Sequence, residues 1–122
     1  MIGYVTLGTN DFDKAAKFYD ELLVLIGAKR MMENDHFIAW SAGSQQPALS
    51  IIKPFDQKQA THGNGTMVAL VVDSHEKVDK VHAKALELGG IDEGAVGLRG
   101  DTFYAGYFRD LDNNKLNVFC MS

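Results

Sequence analysis

The sequence predicts an α+β fold of paired βαβββ modules, on three observations. Two segments each carry a single apolar helical stripe. Each follows a β-rich segment and opens on an acidic cap. The two strand-to-helix junctions, at Asp11 and Asp73, recur about 62 residues apart, a duplication of structure rather than of residue identities. Helices with one apolar stripe need a sheet to bury them. Eight strands with helices on one face give a curved mixed sheet whose opposite face must be covered or hollow.

In order, Ile2 to Gly8 is rich in β-formers and reads as a strand. Asn10 and Asp11 offer a helix N-cap, because an amide or carboxylate there accepts an orphan backbone N–H. Phe12, Ala15, Ala16, Tyr19, Leu23 and Ile26 form one stripe on a helix of about four turns. Gly27 suits a left-handed C-cap. Strands are expected near Lys29 to Glu33, His36 to Ser41 and Ala48 to Lys53, with a polar turn over Ala42 to Pro47.

Pro54 to Gly65 is a polar connection, long enough to be either a linker or a mobile cover. It divides the single domain 1–122 into modules of about 1–56 and 65–122. Thr66 to Asp73 is a nearly continuous apolar run, expected as a strand buried on both faces. Asp73 and Glu76 fit a capping box for a helix with Val78, Val81, Ala85 and Leu88 inward, stopped by Gly89-Gly90. A glycine-rich segment, Ile91 to Gly100, leads to a hairpin over Phe103 to Met121 that turns at Asp110 to Asn114.

Side chains alternate along a strand, so the face away from the helices can be read by parity. If Val5, Leu7, Val68, Leu70 and Val72 pack inward, then Tyr4, Thr6, Gly8, Met67, Ala69 and Val71 face outward. The same parity turns Leu116, Val118 and Cys120 to the core, and Phe103, Ala105, Tyr107 and Asn117 away from it. This distal face is aromatic and partly polar, which suits a small-molecule cavity with a few polar anchors. A dimer interface or a minor second core would use the same face.

Composition narrows the function classes. The chain has 46% apolar and 23% charged residues, the balance of an ordinary globular protein. Net charge is -4 with the basic residues scattered, so no stripe exists to neutralise phosphates, and nucleic acid is not an expected partner. No apolar run approaches the roughly 18 residues of a membrane span, and the N-terminus lacks a signal-peptide pattern. The lone Cys120 excludes an internal disulfide, fits a cytoplasmic setting and reads as inert packing.

Three stretches together carry a family resemblance. They are Gly3 to Gly8 with Asp11 and Phe18-Tyr19, then Asn64 to Ala69, then Arg109 to Leu116. In this order and spacing they resemble the vicinal oxygen chelate superfamily of glyoxalases, extradiol dioxygenases, fosfomycin-modifying enzymes and bleomycin resistance proteins. The likeness spans essentially the whole chain. It implies a sheet curled around an open cavity, and commonly a homodimer. It also implies a divalent metal held by His, Glu or Gln at four inward positions. Here those positions look like Tyr4, Ser50, Met67 and Asn117, none of them His or Glu. A phenol, a hydroxyl, a thioether and an amide form a weak donor set, so neither metal nor other cofactor is expected.

The histidines supply no substitute. His75 and His82 are expected about 10 Å apart along one helix, near its solvent margin. His36 belongs to a strand edge, and His62 lies in the linker, where it becomes an acid or base only if it closes over the cavity. No catalytic residue is therefore assigned. The leading expectation is a metal-free small-molecule-binding protein, forming a homodimer. Its aromatic walls are Trp40, Phe103 and Tyr107, its polar anchors Tyr4, Thr6, Ser50 and Asn117, and Met67 is a compliant filler. Its ligand is expected to be partly aromatic or apolar. Trp40 enters by analogy, since it precedes Ser50 by ten residues as Tyr107 precedes Asn117; its competing reading is core packing. Arg99 reads either as an anion partner or as an exposed loop residue. The alternatives are a lyase or dioxygenase with an atypical metal set or metal-free proton chemistry, and a scaffold domain that binds a partner chain.

Overall fold

The computed structural model describes residues 1–121. The first unit runs β1 (Tyr4–Gly8), α1 (Phe12–Leu23) with a 3₁₀ turn (Val24–Ile26), β2 (Lys29–Glu33), β3 (Phe37–Ser41) and β4 (Ala48–Ile52). The second runs β5 (Val68–Val71), α2 (His75–Glu87), β6 (Ile91–Arg99), β7 (Phe103–Arg109) and β8 (Lys115–Met121). The βαβββ order is thus observed twice. The strands form two four-stranded mixed sheets, β1-β4-β3-β2 and β5-β8-β7-β6, with no closed barrel. In each sheet the first strand pairs parallel with the last, and hairpins supply the antiparallel neighbours.

Local chemistry sets the helix limits. Asp11 caps α1 by accepting from the Lys14 amide at 3.2 Å, and Gly27 ends its 3₁₀ extension at φ +80°. The second cap differs from the expected box. Ser74, one residue later, accepts from the Lys77 amide at 3.1 Å, while Asp73 and Glu76 pair with Lys77 and Lys80 on the surface. The N-cap needs an oxygen that reaches the N3 amide from an extended residue, and Ser74 has that backbone.

The helices contact each other as well as their own sheets, so one core continues from Leu7, Tyr19 and Ile51 to Val81, Phe108 and Val118. Helix α1 consequently buries Phe18 and Leu22 beyond its predicted stripe. Polar ties reinforce the junction. The buried Asp110 carboxylate accepts from the Tyr19 hydroxyl at 2.5 Å and from the Asp112 and Asn114 amides at 2.9 Å. The Asn114 side chain donates onward to the Gly8 carbonyl. Burial raises the Asp110 carboxyl above its ordinary range, against the opposing pull of these donors. Burial and the adjacent carboxylate push the Tyr19 phenol well up, which keeps it a donor.

Two burial expectations change. β5 is an edge strand covered on one face only: Leu70 is buried, while Ala69 and Val71 are exposed. Its apolar run therefore does not mark a strand buried on both sides. His82 is not at the solvent margin. It lies under β7, with Nε2 3.1 Å from the Tyr107 carbonyl and 3.2 Å from Asp92, and a Cβ at Gly106 would sit 2.9 Å from its ring. Among the described residues no helix is long and apolar enough to cross a membrane.

Candidate functional site

The helix-averted face of the second sheet is set by β7–β8 register. Tyr107 lies opposite Asn117, and Ala105 opposite Phe119. Asn117 also pairs with Ala69 on β5, so the amide sits mid-sheet. Phe103 and Phe119 stack at 5.1 Å between centroids. Asn117 is 1% exposed, and among the described residues its Oδ1 has no hydrogen-bond partner. An acceptor sealed in this way costs about 1–3 kcal/mol. A ligand donor that shifted the neighbouring side chains and reached Oδ1 would recover that cost.

The corresponding face of the first sheet aligns Thr6, Ser50, Ala39 and Met32 across four strands. Ser50 is fully buried and already satisfied, bonded to the Val5 carbonyl and to Thr6 Oγ1, both at 2.9 Å. Tyr4 is 64% exposed and meets Phe37 edge-on. With Met31, Met32, Phe37 and Ala48 it lines an open groove of about 740 Å³. This groove is apolar and soft, since thioethers adapt to many shapes.

Parity thus places six of the eight expected residues on strands, away from the helices, in two sets. Phe103, Tyr107 and Asn117 belong to the second sheet and Tyr4, Thr6 and Ser50 to the first, while a seventh, Met67, precedes β5 and is 40% exposed. The eighth, Trp40, is corrected. It faces α1, is 2% exposed, and donates from Nε1 to Asp20 Oδ1 at 2.8 Å. The reason is loop length. Six residues (42–47) separate the paired Ser41 and Ala48, but five (110–114) separate Arg109 and Lys115. One extra residue inverts the parity of the ten-residue spacing, so Ser50 pairs with Ala39 and Trp40 pairs with Leu49. The true counterpart of Tyr107 is Ala39.

Around Trp40, Asp20 receives both Arg30 and the indole N–H. Its carboxyl is held below the ordinary range, chiefly by the Arg30 hydrogen bond. The linker histidine stays apart from both faces. His62 accepts from Asn113 Nδ2 at 3.3 Å in a separate groove of about 730 Å³ between the linker and the β7–β8 turn. His75 stacks on Tyr104 at 3.9 Å.

Tyr4, Ser50, Met67 and Asn117, at the positions the resemblance implies for metal ligands, include no imidazole or carboxylate, and the Ser50 hydroxyl is already bonded, a donor set that does not fit a divalent metal. Among the described residues no three His, Cys, Asp or Glu side chains are grouped to hold one.

The sequence matches the Glyoxalase/Bleomycin resistance protein/Dioxygenase superfamily over residues 1–118. A glyoxalase/bleomycin resistance protein from Albidiferax ferrireducens T118 is 32% identical. Its crystal structure superposes with a TM-score of 0.92 over 100% of this chain and 99% of that one. Two more distant structures share the fold at 17% identity each. Lactoylglutathione lyase from Agrobacterium tumefaciens has a TM-score of 0.72 over 98% and 92% of the two chains. TnmS3, an antibiotic binding protein from Streptomyces sp. CB03234, has a TM-score of 0.69 over 100% and 96%. No curated protein matches this chain by sequence.

Proposed function

This chain belongs to the Glyoxalase/Bleomycin resistance protein/Dioxygenase superfamily, and from that premise we propose that it is a metal-free small-molecule-binding protein. The observation that carries this reading is Asn117: a buried amide oxygen without a partner among the described residues, on a face with Tyr107, Phe103 and Phe119. Such a face binds by stacking and apolar contact, with one polar group for orientation. Asn117, Tyr107, Phe103 and Phe119 include no carboxylate, imidazole or thiol. The antibiotic-binding activity of a protein with this fold supports the same assignment. The 122 residues act as one domain, since a single core runs through both units, and the lone buried thiol of Cys120 suits a cytoplasmic setting.

We propose further that the chain forms a homodimer. β1 and β5 each have an unpaired edge, and beside them Tyr4, Met67 and Val71 are 64%, 40% and 68% exposed. Open apolar edges are what a homodimer covers. Sedimentation is expected to give a dimer that Val71→Lys shifts toward monomer.

Binding is tested with phenylnaphthylamine, an uncharged aromatic probe that fluoresces in apolar sites, on protein dialysed against chelator. We expect saturable binding that Tyr107→Ala weakens about tenfold. Stoichiometric zinc, manganese or iron retained through dialysis would refute the metal-free assignment. Probe binding unaffected by Tyr107→Ala would remove this face from the site.

A further inference from the structure

The glycine-rich strand β6 contributes a cation to this face. Arg99, at its end, pairs with Phe103, but its guanidinium folds back along the sheet. It donates to the carbonyls of Ala95 at 2.7 Å, Gly97 at 2.9 Å and Ala105 at 3.3 Å, and lies 5.4 Å from the Tyr107 ring centre. Glycines make the room for it. A Cβ on Gly94 would stand 3.4 Å from the guanidinium and 3.2 Å from the Tyr107 ring, and one on Gly97 would stand 3.5 Å from the guanidinium. A guanidinium has five N–H donors, and three bonds hold this one in place, so two donors remain.

Lys115 brings a second cation within 5.6 Å of the same ring. Neither forms an ion pair among the described residues. The carboxylate at this end of the sheet, Glu93, is bonded by Arg109 at 2.8 Å. Among the described residues of this chain of net charge -4, two cations thus stand beside one tyrosine outside any ion pair, Lys115 acting on Glu93 only at longer range. Arg99 is exposed, and three backbone carbonyls already hold its guanidinium, so little further ordering is needed for it to meet an anion.

We propose that Arg99, assisted by Lys115, makes this face selective for aromatic ligands bearing an anionic group, a carboxylate, sulfonate or phosphate. The inference rests on the binding reading above and adds the charge of the ligand. The aromatic body lies against Tyr107 and the Phe103–Phe119 pair, and the anion meets the two free guanidinium donors.

The test compares anilinonaphthalene sulfonate with phenylnaphthylamine, which is the same aromatic body without the sulfonate. The wild-type protein is expected to bind the sulfonate about tenfold more tightly, as one charge-assisted contact provides. The preference should shrink as salt is raised. Arg99→Gln is expected to cut it to about threefold, the part left to Lys115, with the ratio of the two affinities read within the variant so that any common change in binding cancels. Lys115→Gln, which breaks no backbone contact and so preserves the fold, should reduce it about threefold. Equal affinity for the two probes in the wild-type protein, or a preference that survives both substitutions, overturns the charge inference. Neither result touches the binding reading. That reading falls if Tyr107→Ala leaves the neutral probe unaffected.

Discussion

The two βαβββ units share strand order, yet their matching positions carry different chemistry. On the outward face of the first, Ser50 is buried and satisfied between Thr6 and Ala39, and Tyr4, Met32 and Ala39 line the open groove of that unit. In the second, Asn117 is buried and unsatisfied, with Tyr107 opposite and two cations beside it. The large aromatic residues of the two hairpins differ too. Trp40 turns inward because its loop is one residue longer, while Tyr107 turns outward. A duplicated backbone therefore does not imply a duplicated site. The first unit offers an adaptable apolar wall, and the second offers directional groups.

The comparison is broken most forcefully at those aromatics. Trp40→Ala should cost about 3–5 kcal/mol in denaturant unfolding, since it empties core volume and leaves Asp20 short of a donor. Tyr107→Ala should cost under about 1 kcal/mol and act on ligand binding. Equal losses at the two positions would mean that Tyr107 is also a core residue.

A sharper contrast lies in the sign of two smaller effects. Ser50→Ala removes a made hydrogen bond and should destabilise by about 1 kcal/mol. Asn117→Leu removes an unmade one and should be neutral or stabilising by about 1 kcal/mol, while weakening the probe affinities. A destabilising Asn117→Leu would show that the amide is structurally paired.

The smallest expected effects are in pH dependence, and they run in opposite directions. Asp20 has a lowered folded-state pKa, so its contribution is present above the ordinary carboxylate range and is lost as pH falls through the depressed value. Trp40 emission should report that loss, and Asp20→Asn should remove it. Asp110 has a raised folded-state pKa, so its contribution is greatest below the ordinary range and fades as pH rises through the raised value. Relative to Asp110→Asn, the wild-type protein should lose stability over that upward step. A matched pH profile for the two proteins would show that Tyr19 and the turn amides fully offset the burial of the carboxylate.

Much of this was legible in residues alone. Helix stripes, the Asp11 cap, the Gly27 stop and the inward run Leu116, Val118 and Cys120 are local patterns enforced by 3.6- and 2-residue periods, and they reappear as expected. The alternation that sets Tyr4 beside Thr6, and Phe103 and Tyr107 with Asn117, followed from the same period. Trp40 failed because parity carried from one hairpin to another depends on loop length, which spacing within the sequence does not reveal. Arg99 was ambiguous because two irregularities in β6 break its alternation.

By itself, then, the amino-acid sequence determined the α+β class, the repeated unit and the alternation within each strand, because each depends on near-neighbour geometry, and the order of its three motifs marked the family. Only the tertiary structure decided that the strands divide into two sheets, that Asp110 ties the second hairpin to α1 through Tyr19, and that Asn117 keeps an acceptor without a partner. Those facts depend on which distant groups meet. Pairing between residues tens of positions apart leaves no period in a single chain to read.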